Sequence, residues 1–287
     1  MKMYHPPVQW KLSGCFRGNE KTMLHYKAIE TGKNNAWVVF IHGAGGSSAI
    51  FYRQVKAFKR EFNLLLIDLH GHGKSKGKLE KDEYTYEEVA HDVLSVLAHL
   101  KIESAHFIGV SLGTVVIHAI YERAPEKVAS MVMGGAVLKF NRRSRLLLGF
   151  GHACKHIMPY MWLYKLFAWI LMPKSNHSHS RRVFVREAEV LGHREFIKWF
   201  RTSRQVEAMH ERLKRVICHV PRLYVMGKED HMFLPILKQT VQNSASTIIH
   251  IIDNCGHVCN IDRAEEFNRI VLSFLRQSCV LPADKTL

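Results

Sequence analysis

Short apolar runs alternate with helix-length amphipathic segments through most of this chain, and that alternation constrains the fold more than any other feature. The runs Trp37 to Ile41, Leu64 to Asp68, Ala105 to Val110 and Lys127 to Met133 have the length and bounding turns of buried strands. Between them, Ala49 to Arg60, Tyr84 to Leu100 and Leu112 to Arg123 read as helices, the last closed by Pro125. Two further β-type stretches, around Val8 to Phe16 and Met23 to Ile29, precede the series. Such an order predicts a mostly parallel, doubly wound sheet covered by helices on both faces.

After Gly134-Gly135 the alternation stops, and residues 138–216 read as several helices without a comparable strand run. The pattern resumes with Arg222 to Met226, a helix near Leu234 to Gln242, the run Thr247 to Ile252 and a helix from Arg263 to Arg276. The expected organisation is a core formed by residues 1–137 and 217–287, with a helical insertion at 138–216. Within the insertion, Pro173 to Ser180 (PKSNHSHS) reads as a flexible loop. The 287 residues, 47% of them hydrophobic, are enough for one large domain with such an insertion. No internal repeat or low-complexity tract interrupts them. The first ten residues hold no continuous apolar segment, and the six cysteines are scattered, which points to reduced thiols and a cytoplasmic protein.

The pentapeptide Gly109-Val110-Ser111-Leu112-Gly113 joins an apolar strand to a buried helix. A serine at such a turn is held with its hydroxyl exposed above the sheet, and the flanking glycines leave room for a tight backbone path. A serine nucleophile needs a base within hydrogen-bond reach and a carboxylate that fixes the tautomer of that base. Asp230 lies four residues beyond the strand ending at Met226, and His257 lies just past the strand ending at Ile252. The chain order is therefore serine, acid, histidine. Glu229 is an alternative acid beside Asp230, whereas Asp68 and Asp253 read as turn residues. The glycine-rich run Ile41 to Ser47 follows a strand and offers backbone N–H groups for an oxyanion, with Ala44 as one donor and Leu112 as the second. His42 reads as a loop-ordering residue, and His25, His70, His72 and His118 as surface or core residues.

The HGAGGS loop at His42 to Ser47, the DLHGHGKS run at Asp68 to Ser75, GVSLG, the GKED turn ending at Asp230 and NCGH ending at His257 occur in order. Together they resemble the α/β-hydrolase fold superfamily, in its group with a serine nucleophile and a helical cap, from about Trp10 to Leu275. The resemblance implies an eight-stranded sheet with a Ser111-His257-Asp230 site under the cap, and its spacing favours Asp230 over Glu229. Serine at the elbow argues against the epoxide hydrolases and haloalkane dehalogenases of that superfamily, whose nucleophile is a carboxylate. The implied activity is that of a carboxylesterase or lipase-like serine hydrolase, with no cofactor. Two other readings stay open: action on an anionic carboxylated substrate, as in relatives that cleave carbon–carbon bonds or act in menaquinone synthesis, and a low-turnover ligand sensor. Cys255 and Cys259 flank His257, a spacing seen in zinc sites, yet no second pair follows, so they read as packing residues and no metal is expected.

Ile157 to Met172 is aromatic-rich with one lysine, too short to span a bilayer comfortably. It reads either as the wall of a pocket for a hydrophobic acyl or aryl group or as packing between helices. No individual substrate-binding residue follows from the sequence. Of the net charge of +16, most belongs to residues 139–215, which hold 17 Lys and Arg against 5 Asp and Glu. Arg142, Arg143 and Arg145 precede the aromatic segment, and Arg181, Arg182 and Arg186 follow it. They read as a solvated face, as a patch for weak association with an anionic membrane surface, or as a site for a substrate carboxylate or phosphate. No nucleic-acid motif accompanies them, and a small-molecule partner, a hydrophobic ester, is expected.

Overall fold

Eight strands form one sheet: β1 (Leu12–Arg17), β2 (Met23–Ile29), β3 (Trp37–Ile41), β4 (Asn63–Asp68), β5 (Ala105–Val110), β6 (Val128–Gly134), β7 (Arg222–Gly227) and β8 (Thr247–Ile252). The structure is a computed structural model that describes residues 12–17, 23–77, 82–154, 157–214, 218–242 and 246–280. Residues 8–11 of the first expected strand lie outside the described residues. The strand order is β1-β2-β4-β3-β5-β6-β7-β8. β2 pairs antiparallel with β1 and β4, and all the other neighbours are parallel.

Parallel strands buried on both faces need apolar side chains in both directions, and the central strands divide theirs with period two. Val39, Ile41, Leu65, Ile67 and Phe107 enter one core, while Val38, Phe40, Leu64, Leu66 and Ile108 enter the other. The helices that close the sheet are α1 (Tyr52–Phe58), α2 (Tyr86–His99) and α3 (Leu112–Arg123), and beyond β6 α4 (Arg142–Cys154), α5 (Tyr160–Leu171), α6 (Ser178–Leu191), α7 (His193–Thr202) and α8 (Val206–Leu213). After β7 come α9 (Leu234–Thr240), α10 (Cys259–Asp262) and α11 (Ala264–Val280). Val93 of α2 and Val116 of α3 cover the first core. Val55 and Phe58 of α1, with Phe267 and Val271 of α11, cover the second.

Local chemistry sets the helix starts. Thr85 accepts from the Glu88 N–H at 3.2 Å while Glu88 accepts from the Thr85 N–H at 3.3 Å. This capping box moves the start of α2 to Tyr86 and contributes about 1 kcal/mol. The expected helix from Ala49 opens instead as a 3₁₀ turn at Ser48–Phe51, capped by Ser47, and becomes α-helical only at Tyr52.

Between β6 and β7 the described residues form helices and turns without a strand. Here the expected loop at Pro173 to Ser180 is corrected: Ser175–His177 form a 3₁₀ turn, and Ser178 opens α6. His177 and Ser180 are fully buried. Residues 173–176 stay exposed, yet their polar groups serve a latch. Lys174 and Asn176 donate to the Glu229 carboxylate at 2.7 and 2.8 Å, and His177 Nε2 lies 2.7 Å from it. These bonds hold the Glu229 carboxyl down at about 2, Asn176 and Lys174 being the strongest influences. A carboxyl group depressed below its ordinary value stabilises the fold above that ordinary value of 4.5, and the contribution fades as pH falls from there towards about 2. Glu229→Gln is therefore expected to lower the urea midpoint at neutral pH and to lose most of its difference from wild type by about pH 3. An equal deficit at both pH values would show that the carboxylate charge does not stabilise the latch.

The strand order reverses at β3, which has β4 on one side and β5 on the other. In a sheet of this type a crevice opens beyond the carboxyl ends of the two strands at the reversal. The loop after β3 and the turn after β5 meet there.

Candidate active site

Ser111 is the single residue between β5 and α3, and its backbone sits at φ 54°, ψ −122°. A side chain is rarely found in that region, so the surrounding packing must hold it there. Gly109 and Gly113 permit the turn by close approach. A Cβ on Gly113 would run into the Ile41 carbonyl, and one on Gly109 would lie 2.8 Å from the Gly113 carbonyl group. The Ser111 N–H donates to the Gly134 carbonyl at 2.9 Å, which ties the turn to the end of β6.

The structure brings Ser111, His257 and Asp230 into one hydrogen-bonded chain. His257 Nε2 is 2.9 Å from Ser111 Oγ, and His257 Nδ1 is 2.7 Å from Asp230 Oδ2. Asp230 Oδ1 accepts from the Phe233 and Met232 N–H groups at 3.0 and 3.3 Å. Asp230 and His257 are each 1% exposed, so these bonds are shielded from competing water. A carboxylate only accepts, which puts the ring proton on Nδ1 and leaves Nε2 to accept from the Ser111 hydroxyl. Both ring nitrogens are thereby engaged within the hydrogen-bonded chain. The buried Cys255 and Cys259 thiols donate to backbone carbonyls, Cys259 to Val225 at 3.5 Å. Glu229 faces away, into the latch with Lys174, Asn176 and His177. Asp68 also stands apart: it accepts from the Ser48 and Lys74 N–H groups at 2.7 and 3.0 Å and meets His25 Nδ1 at 3.1 Å.

The loop after β3 is held by groups distant in sequence. His42 Nε2 accepts from the Leu69 N–H at 3.0 Å, so His42 Nδ1 carries a proton and donates to the Gly43 carbonyl at 2.8 Å. The Gly43 carbonyl also accepts from the Gly46 N–H. In a trans peptide the N–H lies opposite the carbonyl, so these bonds fix the direction of the Ala44 N–H. The next peptide is held at both ends: Tyr164 donates to the Ala44 carbonyl at 2.8 Å, and the Gly45 N–H donates to His72 Nε2 at 2.8 Å. Burial pushes the pKa of His42 down and that of His72 well down, which keeps each ring neutral and able to accept. Leu112, the first residue of α3, has an N–H without an intrahelical acceptor, as first-turn residues do. Ala44 and Leu112 both line the cavity that Ser111 and His257 border. His25, His70, His72 and His118 are all buried.

That cavity has a volume of about 170 Å³ and is roofed by the helices between β6 and β7. α4 contributes Leu147 and Leu148, α5 contributes Tyr164, Phe167 and Leu171, and α7 contributes Phe196, Trp199 and Phe200. Phe200 stacks on Phe167 and Phe196 with ring centroids 5.7 and 5.5 Å apart. The lining among the described residues contains no Lys, Arg, Asp or Glu side chain. A smaller pocket that also borders Ser111 and His257 is lined by Ile50, Val183, Glu187 and Ile261. The flanking arginines lie outside both pockets. Arg145 pairs with Glu207 at 2.9 Å, Arg181 covers the Trp169 ring, and Arg186 lies 3.4 Å from Glu187.

The bonds of His72 and Tyr164 to the loop after β3, and the place of the α7 aromatics in the cavity, are not legible in the sequence. The spacing of Phe196, Trp199 and Phe200 marks one helix face, but it gives no direction for that face until α7 is docked. Docking is fixed by the Trp199 indole, which donates to the His70 carbonyl at 2.8 Å, and by Tyr84, which donates to Glu195 at 2.6 Å.

A family model described as alpha/beta hydrolase fold matches residues 36–150. A 2-hydroxy-6-oxononadienedioate/2-hydroxy-6-oxononatrienedioate hydrolase from Burkholderia vietnamiensis is 28% identical, over 88% of this chain and 91% of its own length. Among solved structures, a hydrolase from Pseudomonas aeruginosa PA01 superposes with a TM-score of 0.78 at 19% identity, covering 92% of this chain and 98% of its own. An esterase from Exiguobacterium antarcticum superposes with a TM-score of 0.77 at 17% identity, covering 92% of this chain and 100% of its own. The sheet order, the sharp turn at Ser111 and these likenesses agree: the chain has the α/β-hydrolase fold and is a hydrolase of that fold.

Proposed function

We propose that this protein is a serine carboxylic ester hydrolase for uncharged esters with a hydrophobic acyl or aryl part. One observation carries the reading: Ser111 and His257 of the hydrogen-bonded chain border a cavity whose described lining is mostly apolar and aromatic and holds no Lys, Arg, Asp or Glu side chain. His257 Nε2 takes the Ser111 proton as Oγ attacks the ester carbonyl, and Asp230 stabilises the resulting imidazolium. The Ala44 and Leu112 N–H groups receive the oxyanion. The alcohol leaves with the proton from His257, and water, deprotonated by His257 in turn, releases the acid from the acyl-enzyme. The helices α4 to α8 act as the cap that excludes water from these steps.

The test is hydrolysis of p-nitrophenyl esters of increasing acyl length. Each methylene that enters an apolar cavity contributes about 0.8 kcal/mol, so kcat/KM is expected to rise about fourfold per carbon until the cavity is full. Leu148→Trp, which fills part of the cavity from α4, is expected to shift the preferred ester to a shorter acyl chain while acetate turnover persists. A flat chain-length profile in both proteins would sink the assignment of this cavity to the acyl group. The dioate named for the Burkholderia relative raises the alternative of an anionic substrate. Tight inhibition by a dicarboxylate analogue, without turnover of neutral esters, would favour that alternative. The uncharged lining supports the neutral ester, because a buried carboxylate would need a cationic or multiply hydrogen-bonded partner there.

A further inference from the structure

Helix α5 is apolar on both sides, which burial inside the protein does not explain. Leu163, Tyr164 and Ala168 face inward and are buried, and Phe167 and Leu171 line the cavity. On the opposite side Trp162, Leu166 and Trp169 recur at the spacing of one helix face and are 67%, 39% and 56% exposed. Exposed tryptophans aligned in this way mark a contact surface rather than scattered surface residues. The stripe also carries a charge pattern. Lys165 lies within it, the Arg181 guanidinium sits 3.9 Å from the centre of the Trp169 ring, and a cleft of about 570 Å³ beside Trp169 holds Lys165, Arg181, Arg182 and Arg186 against Glu189 as its one acidic side chain.

We propose that the outer face of α5 and the adjoining basic edge of α6 dock on an anionic lipid bilayer. Trp162, Leu166 and Trp169 would enter the headgroup layer, and the lysine and arginines beside them would meet lipid phosphates. Aromatic and apolar side chains on one face flanked by cations are the chemistry of helices that lie in a membrane interface. No helix among the described residues is long and apolar enough to cross a membrane, so the contact is at the surface. Val183 borders both the basic cleft and the small pocket beside Ser111, so docking turns that side of the site towards the lipid.

The experiment is co-sedimentation of the full chain with vesicles of phosphatidylcholine mixed with phosphatidylglycerol and with phosphatidylcholine alone, read together with Trp fluorescence. Binding is expected to the anionic vesicles, to weaken with added salt, and to fall at least about tenfold in the double variant Trp162→Ser with Leu166→Ser. Arg182→Glu is expected to weaken binding and to reduce its salt dependence. Ser111→Ala is expected to bind as wild type does, which separates docking from the hydrolase reading. Absence of binding to anionic vesicles, or equal binding to both kinds, overturns the proposal. So does a dimer, dissociated by the double variant and indifferent to lipid, which would assign the face to a second copy of the chain.

Discussion

Ser111→Ala is expected to reduce ester turnover by about 10⁶-fold while leaving the protein folded. Alanine has the same Cβ as serine, so the unusual backbone at φ 54° costs the variant nothing new. What is lost is one hydroxyl, hydrogen-bonded to His257 Nε2 at 2.9 Å. A single hydrogen bond contributes about 0.5–1.5 kcal/mol net, a change that shifts Tm by about 2–4 °C in a chain of this size. Catalysis loses far more, because without Oγ there is no atom for the carbonyl to bond to and no acyl-enzyme. The measurement is kcat/KM on a p-nitrophenyl ester, with circular dichroism and Tm as the folding control. Turnover within a few fold of wild type, from a folded variant, would exclude Ser111 as the nucleophile.

Asp230→Asn is expected to lower kcat by about 10⁴-fold with little change in KM. The hydrogen bonds around the carboxylate explain why so small a change acts so strongly. Asp230 Oδ1 accepts from the Phe233 and Met232 N–H groups, and an asparagine would keep its carbonyl oxygen there. Its amide nitrogen would then face His257 Nδ1, 2.7 Å away in the wild type, and donate to it. The imidazole would respond by carrying its proton on Nε2, which would face Ser111 with a hydrogen rather than a lone pair. The base is then unable to accept the serine proton, although its position is unchanged. Glu229→Gln serves as the comparison, because the Glu229 carboxylate bonds to the latch alone among its described contacts; its kcat should stay within a few fold of wild type. A severe loss in Glu229→Gln with normal kcat in Asp230→Asn would reverse the assignment of the acid.

The layered architecture is legible from the amino-acid order alone, because the signals behind it are local. A strand buried on both faces is apolar along most of its length, so β3, β4 and β5 are legible as short runs whatever surrounds them. The join of β5 to α3 is equally legible, since Gly109 and Gly113 mark a turn with no room for a side chain two residues before or two residues after Ser111. Parallel strands carry their following loops to one edge of the sheet, so chain order alone sends Ser111, Asp230 and His257 to the same edge.

Direction and partnership between distant residues arise only when the chain is folded. Glu229 and Asp230 are adjacent carboxylates of nearly equal chemistry, and only the folded turn points one towards the latch and the other towards His257. PKSNHSHS has the composition of a loop, yet it is an anchored turn because Glu229, 52 residues from His177, supplies the bonds that its polar groups need. The loop at Gly43 to Gly45 depends on His72 and on Tyr164, which come from separate segments of the chain. The cavity draws its walls from helices whose apolar faces could have packed in more than one way. Local periodicity records which side chains avoid water, but it carries no information about which distant group each will meet; that is set when the helices after β6 dock on the sheet.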